Sequence, residues 1–429
     1  MNFVLIIISE ENNMIENNPE KLYKERETRF TDAIQLKIPD RVPVMIEFSY
    51  FPAKYTGITC EAAHYDYDLW LKANLKTIND YAPDVVQIIP FFPGSFYDML
   101  ESRQLKLPGR GIDPNHSHQF LEGEFIKAED YDDLIDNRTD FMIRTFLPRI
   151  FKALEPFGKL PPFDSTTFCY YQLPALAESL ASPDIYGALE KLLKAGQEVS
   201  RWRSKMNAFS EEIEKLGFPL YGTSGEHVPF DHISYQMRGM RGIDLDMYRQ
   251  PEKLIKVFDW MLPLQIKKAI AKARKSGRKR VFFALHRGAD NFMSNKQFET
   301  FYWPYAKKIV QALVDEGLTP CLFLEGDYTS RLEYFLELPR GKVLGRFDST
   351  DIFKAKEILN RHMCIMGNVP ASLLQTGTIQ DVEDYCKKLI DIVGKDGGFI
   401  MAPRSTPDEA KPENLNAMVD FTVKYGVYR

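Results

Sequence analysis

Several things are scarce in this chain, and each scarcity excludes something. Cysteine occurs five times in 429 residues, at positions 60, 169, 321, 364 and 386, scattered, odd in number and without a C-x-x-C pair. That pattern excludes a disulfide framework and predicts a reducing, cytoplasmic setting. The apolar run Phe3 to Ile8 is too short to span a bilayer, and it lacks the basic leader and small-residue cleavage site of a secretory signal. Met14 offers a second start just beyond it. Positive charge is not in excess, with 55 Lys and Arg against 60 Asp and Glu, so there is no electrostatic reason to expect nucleic acid or anionic membrane as a partner. The one basic cluster, KKAIAKARKSGRKR ending at Arg280, reads as the solvated face and end of a helix. A Gly-rich phosphate loop after the first strand is also missing, which counts against a doubly wound nucleotide-binding sheet.

What is present is a hydrophobic fraction of 44%, enough for a sizeable core, without an obvious linker, repeat or low-complexity tract. Helical periodicity begins at Pro19 to Ile34, where Leu22, Phe30, Ala33 and Ile34 share a face. A strand over Val42 to Phe48, a helix over Tyr67 to Tyr81 and a strand over Val85 to Ile89 set the rhythm of a parallel sheet. From Phe91 to Arg138 the pattern dissolves into Pro, Gly, Asp and His, which predicts a long insertion that either covers one end of the fold or makes a homodimer contact. His116 and His118 in DPNHSHQF lack a nearby third ligand and read as loop polarity. Helices follow at Phe141 to Leu154 and Pro183 to Leu216, then the strand-like FPLYGTSGEHVPF, which delivers Glu226 and His227 to a loop, and a helix over Pro251 to Lys275.

The strand that follows, VFFALHRGADNFMS, delivers His286 and Arg287 to its end. A helix over Asn295 to Glu316 stops at Gly317, with Phe298, Phe301, Tyr305, Ile309 and Leu313 on one side. Strands are predicted at Pro320 to Leu324, Val343 to Phe347, Cys364 to Met366 and Phe399 to Ala402. Before the last, Thr378 and Asp381 form a capping box for a helix whose apolar face is Ile379, Val382, Cys386, Leu389 and Val393. The count fits a single (β/α)8 TIM barrel over residues 29–429, with an N-terminal extension over 1–28 and the insertion at about 91–138. A doubly wound sheet is the alternative.

At or just after the strand ends stand Glu47, Pro90, His286, Arg287, Glu325, Asp327, Asp348, Asn368 and Arg404. A barrel would bring these polar groups to one mouth, the usual place for chemistry in that fold. In DSTD, Asp351 reads as the helix cap and Asp348 as facing the mouth. Cys321, Cys364 and Cys386 read as core.

The phrases RFTDAIQLKIPDRVPV, PFDHISYQMRGMRG, FDSTDIFKAKEIL, GNVPASLLQTGTIQDV and PRSTPDEAKPENLNAM resemble, in order and spacing, landmarks of the uroporphyrinogen decarboxylase superfamily. The resemblance runs from Arg29 to the C-terminus outside the insertion and implies a (β/α)8 barrel. True decarboxylases of that superfamily carry an arginine-rich stretch after the first strand and a GHG-like turn near the end. This chain has MIEFSYFPAKY and MAPRSTP there, so a highly anionic porphyrinogen would lack its counter-charges.

The other branch holds corrinoid-linked methyltransferases, in which zinc assists methyl transfer. Their H-x-C motif is matched here by His286 with Gly288 in place of the first cysteine, and Arg404 stands where the later cysteine would be. The resemblance then leaves an oxygen-and-nitrogen set, His286, Glu325 and Asp348 or Asp327, that can bind zinc with an open position. Such a set is compatible with the O-demethylase members, whose donors are methoxylated aromatics or related methyl ethers. The expectation is thus a methyltransferase working with a separate corrinoid protein. His286, Glu325 and Asp348 would be its catalytic and zinc-binding groups, and Glu47, Arg287, Asn368 and Arg404 would bind substrate. A carboxy-lyase acting on a less anionic substrate and a non-catalytic binding barrel are the alternatives.

Overall fold

The computed structural model describes residues 18–89, 91–162 and 169–429. The run Phe3 to Ile8, Met14 and the strand-end Pro90 lie outside them. Among the described residues, eight short parallel strands carry the fold: β1 (Met45–Phe48), β2 (Val85–Ile88), β3 (Thr223–Ser224), β4 (Arg280–Leu285), β5 (Thr319–Leu324), β6 (Leu344–Phe347), β7 (Cys364–Met366) and β8 (Phe399–Ile400). β1 pairs with β2, and β3 to β8 form a second sheet in chain order. Single parallel bridges, Val44 to Met401 and Val86 to Leu220, stand where the edges of the two sheets meet.

Helices alternate with these strands, as parallel connections require. α1 (Pro19–Ile34) precedes β1, and α2 (Tyr67–Tyr81), α3 (Pro183–Lys215), α4 (Pro251–Ser276), α5 (Trp303–Asp315), α6 (Ile352–Leu359), α7 (Ile379–Ile392) and α8 (Pro412–Tyr425) follow. A 3-10 segment, Thr329–Glu337, makes the link after β5. The side chains of the strands sort by their period of two. Ile46, Phe48, Val281, Phe283, Leu285, Leu322 and Leu324 pack outward against the helices. Met45, Val85, Tyr221, Cys321, Leu344, Cys364, Met366, Ile400 and Ala402 form a separate inner cluster, joined by Phe30, Ala33 and Ile34 of α1. α1 therefore runs unbroken across position 28 and belongs to the packed body. Cys321, Cys364 and Cys386 are buried core residues, and burial pushes the thiols of Cys321 and Cys386 up to about 12.

Where the structure departs from the sequence expectations, proline and position in the helix explain most of it. The stretch expected as one helix over 141–154 is broken into short turns, with a π turn at Met142–Phe146 just before Leu147-Pro148. The helix expected over 295–316 likewise has a π turn at Phe298–Tyr302 just before Trp303-Pro304. Proline has no N–H and clashes with the carbonyl four residues back, so the ladder widens there. Gly317 takes a φ of +73°, as a helix stop requires. The Thr378–Asp381 capping box is present, but Ile379, the first residue of α7, is 48% exposed rather than part of the buried face. The strand-like 218–230 yields only the two residues of β3. The insertion is not structureless: it holds a helix, Gly94–Leu100, and a three-stranded sheet of Leu105–Pro108, Gly111–Ile112 and Gln119–Phe120. The basic cluster ends α4 at Gly277, with Lys272, Arg274, Arg278 and Arg280 paired to Glu226, Glu316, Glu214 and Glu27.

Candidate functional site

The polar strand ends fall into place through the same alternation. His286, Glu325, Asp348, Asn368 and Arg404 each continue the inward-facing series of their strand, two residues beyond Ala284, Phe323, Arg346, Met366 and Ala402. His286 and Glu325 come together: the imidazole Nδ1 is hydrogen-bonded to Glu325 Oε2, with the side chains 23% and 50% exposed. The pair is therefore open to the end of the fold. Burial opposes charge on His286, but the hydrogen bond to Glu325 and the Asp231 carboxylate outweigh it, so its pKa is raised. Burial would raise Glu325, but its bond to His286 and the nearby cations win and hold it below its ordinary range. Both shifts favour the imidazolium–carboxylate form of the pair.

Residues that the sequence reading passed over hold this pair in place. Asp231, 0% exposed at the start of the turn after β3, accepts the backbone N–H groups of His286 at 3.0 Å and Arg287 at 2.9 Å, and the Tyr302 hydroxyl at 2.6 Å. Tyr302 in turn lies where a Cβ on Gly288 would be, 2.5 Å from its Cε1, so position 288 has room for hydrogen only. The buried Arg331 donates to the carbonyls of Gly288 and Met293, fastening the same loop. Tyr235 lies nearly parallel to the His286 ring at 10° with centroids 5.5 Å apart, and the His227 ring is 5.2 Å away. Burial and the charge of His286 lower the pKa of His227.

The remaining expected residues have partners of their own. Asp348 takes the Gly326 N–H at 2.9 Å and sits 3.3 Å from Arg404 Nε. Arg404 Nε and Asn368 Nδ2 both donate to the Asp348 backbone carbonyl, at 2.7 and 3.2 Å, bracing the end of β6. Asp351 caps α6, as expected. Asp327 accepts from Thr329 N at 2.8 Å and Thr329 Oγ1 at 2.5 Å. Glu47 is engaged by Arg346, a fully buried arginine that reads from sequence as part of an apolar strand. Arg287 pairs with Glu122 of the insertion at 2.7 Å, so the insertion does reach this end of the fold. His118 is anchored there as well, through Tyr50. Among the described residues, no three His, Cys, Asp or Glu side chains are grouped to hold a metal ion. His286 and Glu325 supply two donors, already satisfied by each other, and as placed the set does not fit zinc.

The class of protein is a parallel α/β fold with polar groups gathered at its strand ends. The chain belongs to the uroporphyrinogen decarboxylase (URO-D) family, whose model matches residues 168–425. It is 24% identical to a uroporphyrinogen decarboxylase of Syntrophotalea carbinolica over 208 residues, 47% of this chain, and this match spans 58% of that protein. In fold it is similar to a methyltransferase from Methanosarcina mazei, with a TM-score of 0.59 at 14% identity, over 93% of this chain and 98% of that one. No helix among the described residues is long and apolar enough to cross a membrane.

Proposed function

We propose that this protein is a cytoplasmic methyltransferase that moves a methyl group between a small methyl ether and a corrinoid carried by a separate protein. The observation that carries the reading is the hydrogen-bonded His286–Glu325 pair, partly open, beside the Tyr235 ring at the strand ends. The eight strands are taken to close into a (β/α)8 barrel, supported by the bridges at Val44 and Val86. The corrinoid supplies the nucleophile that takes the methyl group.

This chain's residues do the rest. Breaking a methyl–oxygen bond leaves negative charge on the oxygen, and that charge must be met by a proton. His286 can donate it: Nδ1 is held by Glu325, which leaves Nε2 for the leaving oxygen. Glu325 keeps the imidazole charged until then, and Asp231 fixes its backbone.

The test is methyl transfer from an aryl methyl ether to reduced cobalamin offered in place of the partner. Transfer that falls at least a hundredfold in His286→Gln supports the reading, and transfer indifferent to that change ends it. Stoichiometric zinc that disappears in His286→Ala would replace the proton-donor role with the metal one. A carboxy-lyase is the second reading, since a protonated His286 could equally deliver a proton to the carbanion left when carbon dioxide departs. Release of carbon dioxide without methyl transfer would select it.

A further inference from the structure

The insertion crosses the site in a particular way. Gln119–Phe120 is a strand of the insertion's small sheet, and the side chains of residues 118, 120 and 122 all reach groups at the strand ends. His118 Nδ1 is 2.8 Å from the hydroxyl of Tyr50, two residues beyond β1. The tautomers in this anchor are fixed by counting donors. His64 Nδ1 lies 3.0 Å from the Phe92 carbonyl, which can only accept, so that nitrogen carries the proton. His64 Nε2 then accepts from Tyr50 at 2.8 Å, and Tyr50 accepts from His118. At the other end, Glu122 Oε2 meets Arg287 Nη2 at 2.7 Å, two residues beyond β4, and Oε1 takes the Met240 N–H at 2.6 Å. Between them, the Phe120 ring stacks on Tyr235 with centroids 4.3 Å apart at 14°.

A phenyl ring on Tyr235 and, two residues on, a carboxylate on Arg287 are together the features of a small molecule. The Arg287 guanidinium is 6.0 Å from the Tyr235 centroid, so one ligand of modest size reaches both. We propose that the 118–122 segment is a strap lying in the ligand site as an internal stand-in, and that the ligand it stands in for is a planar aromatic ring carrying a carboxylate. The ligand exchanges with Phe120 on Tyr235 and with Glu122 on Arg287, while His118 stays fastened to Tyr50. This rests on the reading above in one respect only, that the His286 face is where substrate lies.

The experiment is calorimetric binding of benzoate and of its neutral analogue benzamide to the full chain, with no methyl acceptor present. Glu122→Gln removes the competing charge and keeps the shape. It is expected to tighten benzoate about threefold, the worth of a partly exposed ion pair, and to leave benzamide unchanged. Phe120→Ala removes the competing ring and is expected to tighten both about fivefold. Arg287→Met should abolish the preference for benzoate. In the unmodified protein, benzoate should speed tryptic cleavage within the insertion, because the strap is displaced; this needs no variant to fold. The proposal is overturned if benzoate does not bind, if Glu122→Gln leaves benzoate unchanged or tightens both ligands equally, or if benzoate protects the insertion. Binding that behaves as expected in a protein without methyl transfer would sink the proposed reaction and leave the strap standing.

Discussion

Arg346 on β6 reaches across to the Glu47 carboxylate on β1, with the two side chains 0% and 9% exposed and the guanidinium 4.8 Å over the Phe323 ring. Two strands from opposite parts of the chain are thereby tied through one buried charge pair. Taking one partner away leaves the other charge uncompensated. Arg346→Met or Glu47→Gln alone should cost about 3–5 kcal/mol in denaturant unfolding. The double variant Glu47→Met with Arg346→Met should recover most of that loss; no recovery would show that the two residues act separately.

The raised pKa of His286 sets the direction of its pH dependence. A histidine held charged in the fold stays a proton donor above its ordinary range, so methyl transfer should fall as pH rises through that raised value. Glu325→Gln removes the partner that sustains the charge. Its descending limb should move to lower pH, which a pH–rate profile reads directly. The same pair contributes stability below the unfolded pKa of about 6.5 and loses it as pH rises through the folded value.

Burial works the other way on His64, lowering its pKa to about 4. The unfolded chain then takes up a proton that the folded protein refuses. Stability should be intact above about pH 6.5 and decline as pH falls toward 4, by roughly 3 kcal/mol for this group. His232, lowered to about 3 by burial, adds to the same slope. Melting temperature measured from pH 7 to pH 4 should drop more steeply in the unmodified protein than in His64→Gln.

Gly288 offers a steric test. A methyl group there would press into Tyr302, which Asp231 holds in place. Gly288→Ala should lose about 1–3 kcal/mol from overpacking. Gly288→Cys should be no more stable and should gain no zinc, measured by thermal unfolding and metal analysis.

The inward series of the strands was legible in the sequence because an apolar run with period two ends, in strand after strand, on a polar residue. That is how His286, Glu325, Asp348, Asn368 and Arg404 could be read together. Their partners could not, because each comes from a distant segment with no pattern of its own. Asp231 lies in PFDHISY, just past a strand-like stretch, and its bonds to His286 and Arg287 span more than fifty residues. Arg346 sits mid-strand among apolar neighbours, and only the approach of β1 explains its burial. Glu122 and Phe120 belong to an insertion too irregular to place. The two π turns, by contrast, stand beside prolines plainly visible in the chain.

The inner cluster joins Phe30, Ala33 and Ile34 to Ile400 and Ala402, positions some 370 residues apart. During synthesis at about 5–20 residues per second, α1 emerges many seconds before its last packing partner exists. Contacts of such long sequence separation also form slowly. The inner face of α1 therefore gains its partners in stages, Met45, Val85 and Tyr221 long before Ile400 and Ala402. The inner cluster is complete only once β8 has been made, so the sheet's last strand is the one that seals it.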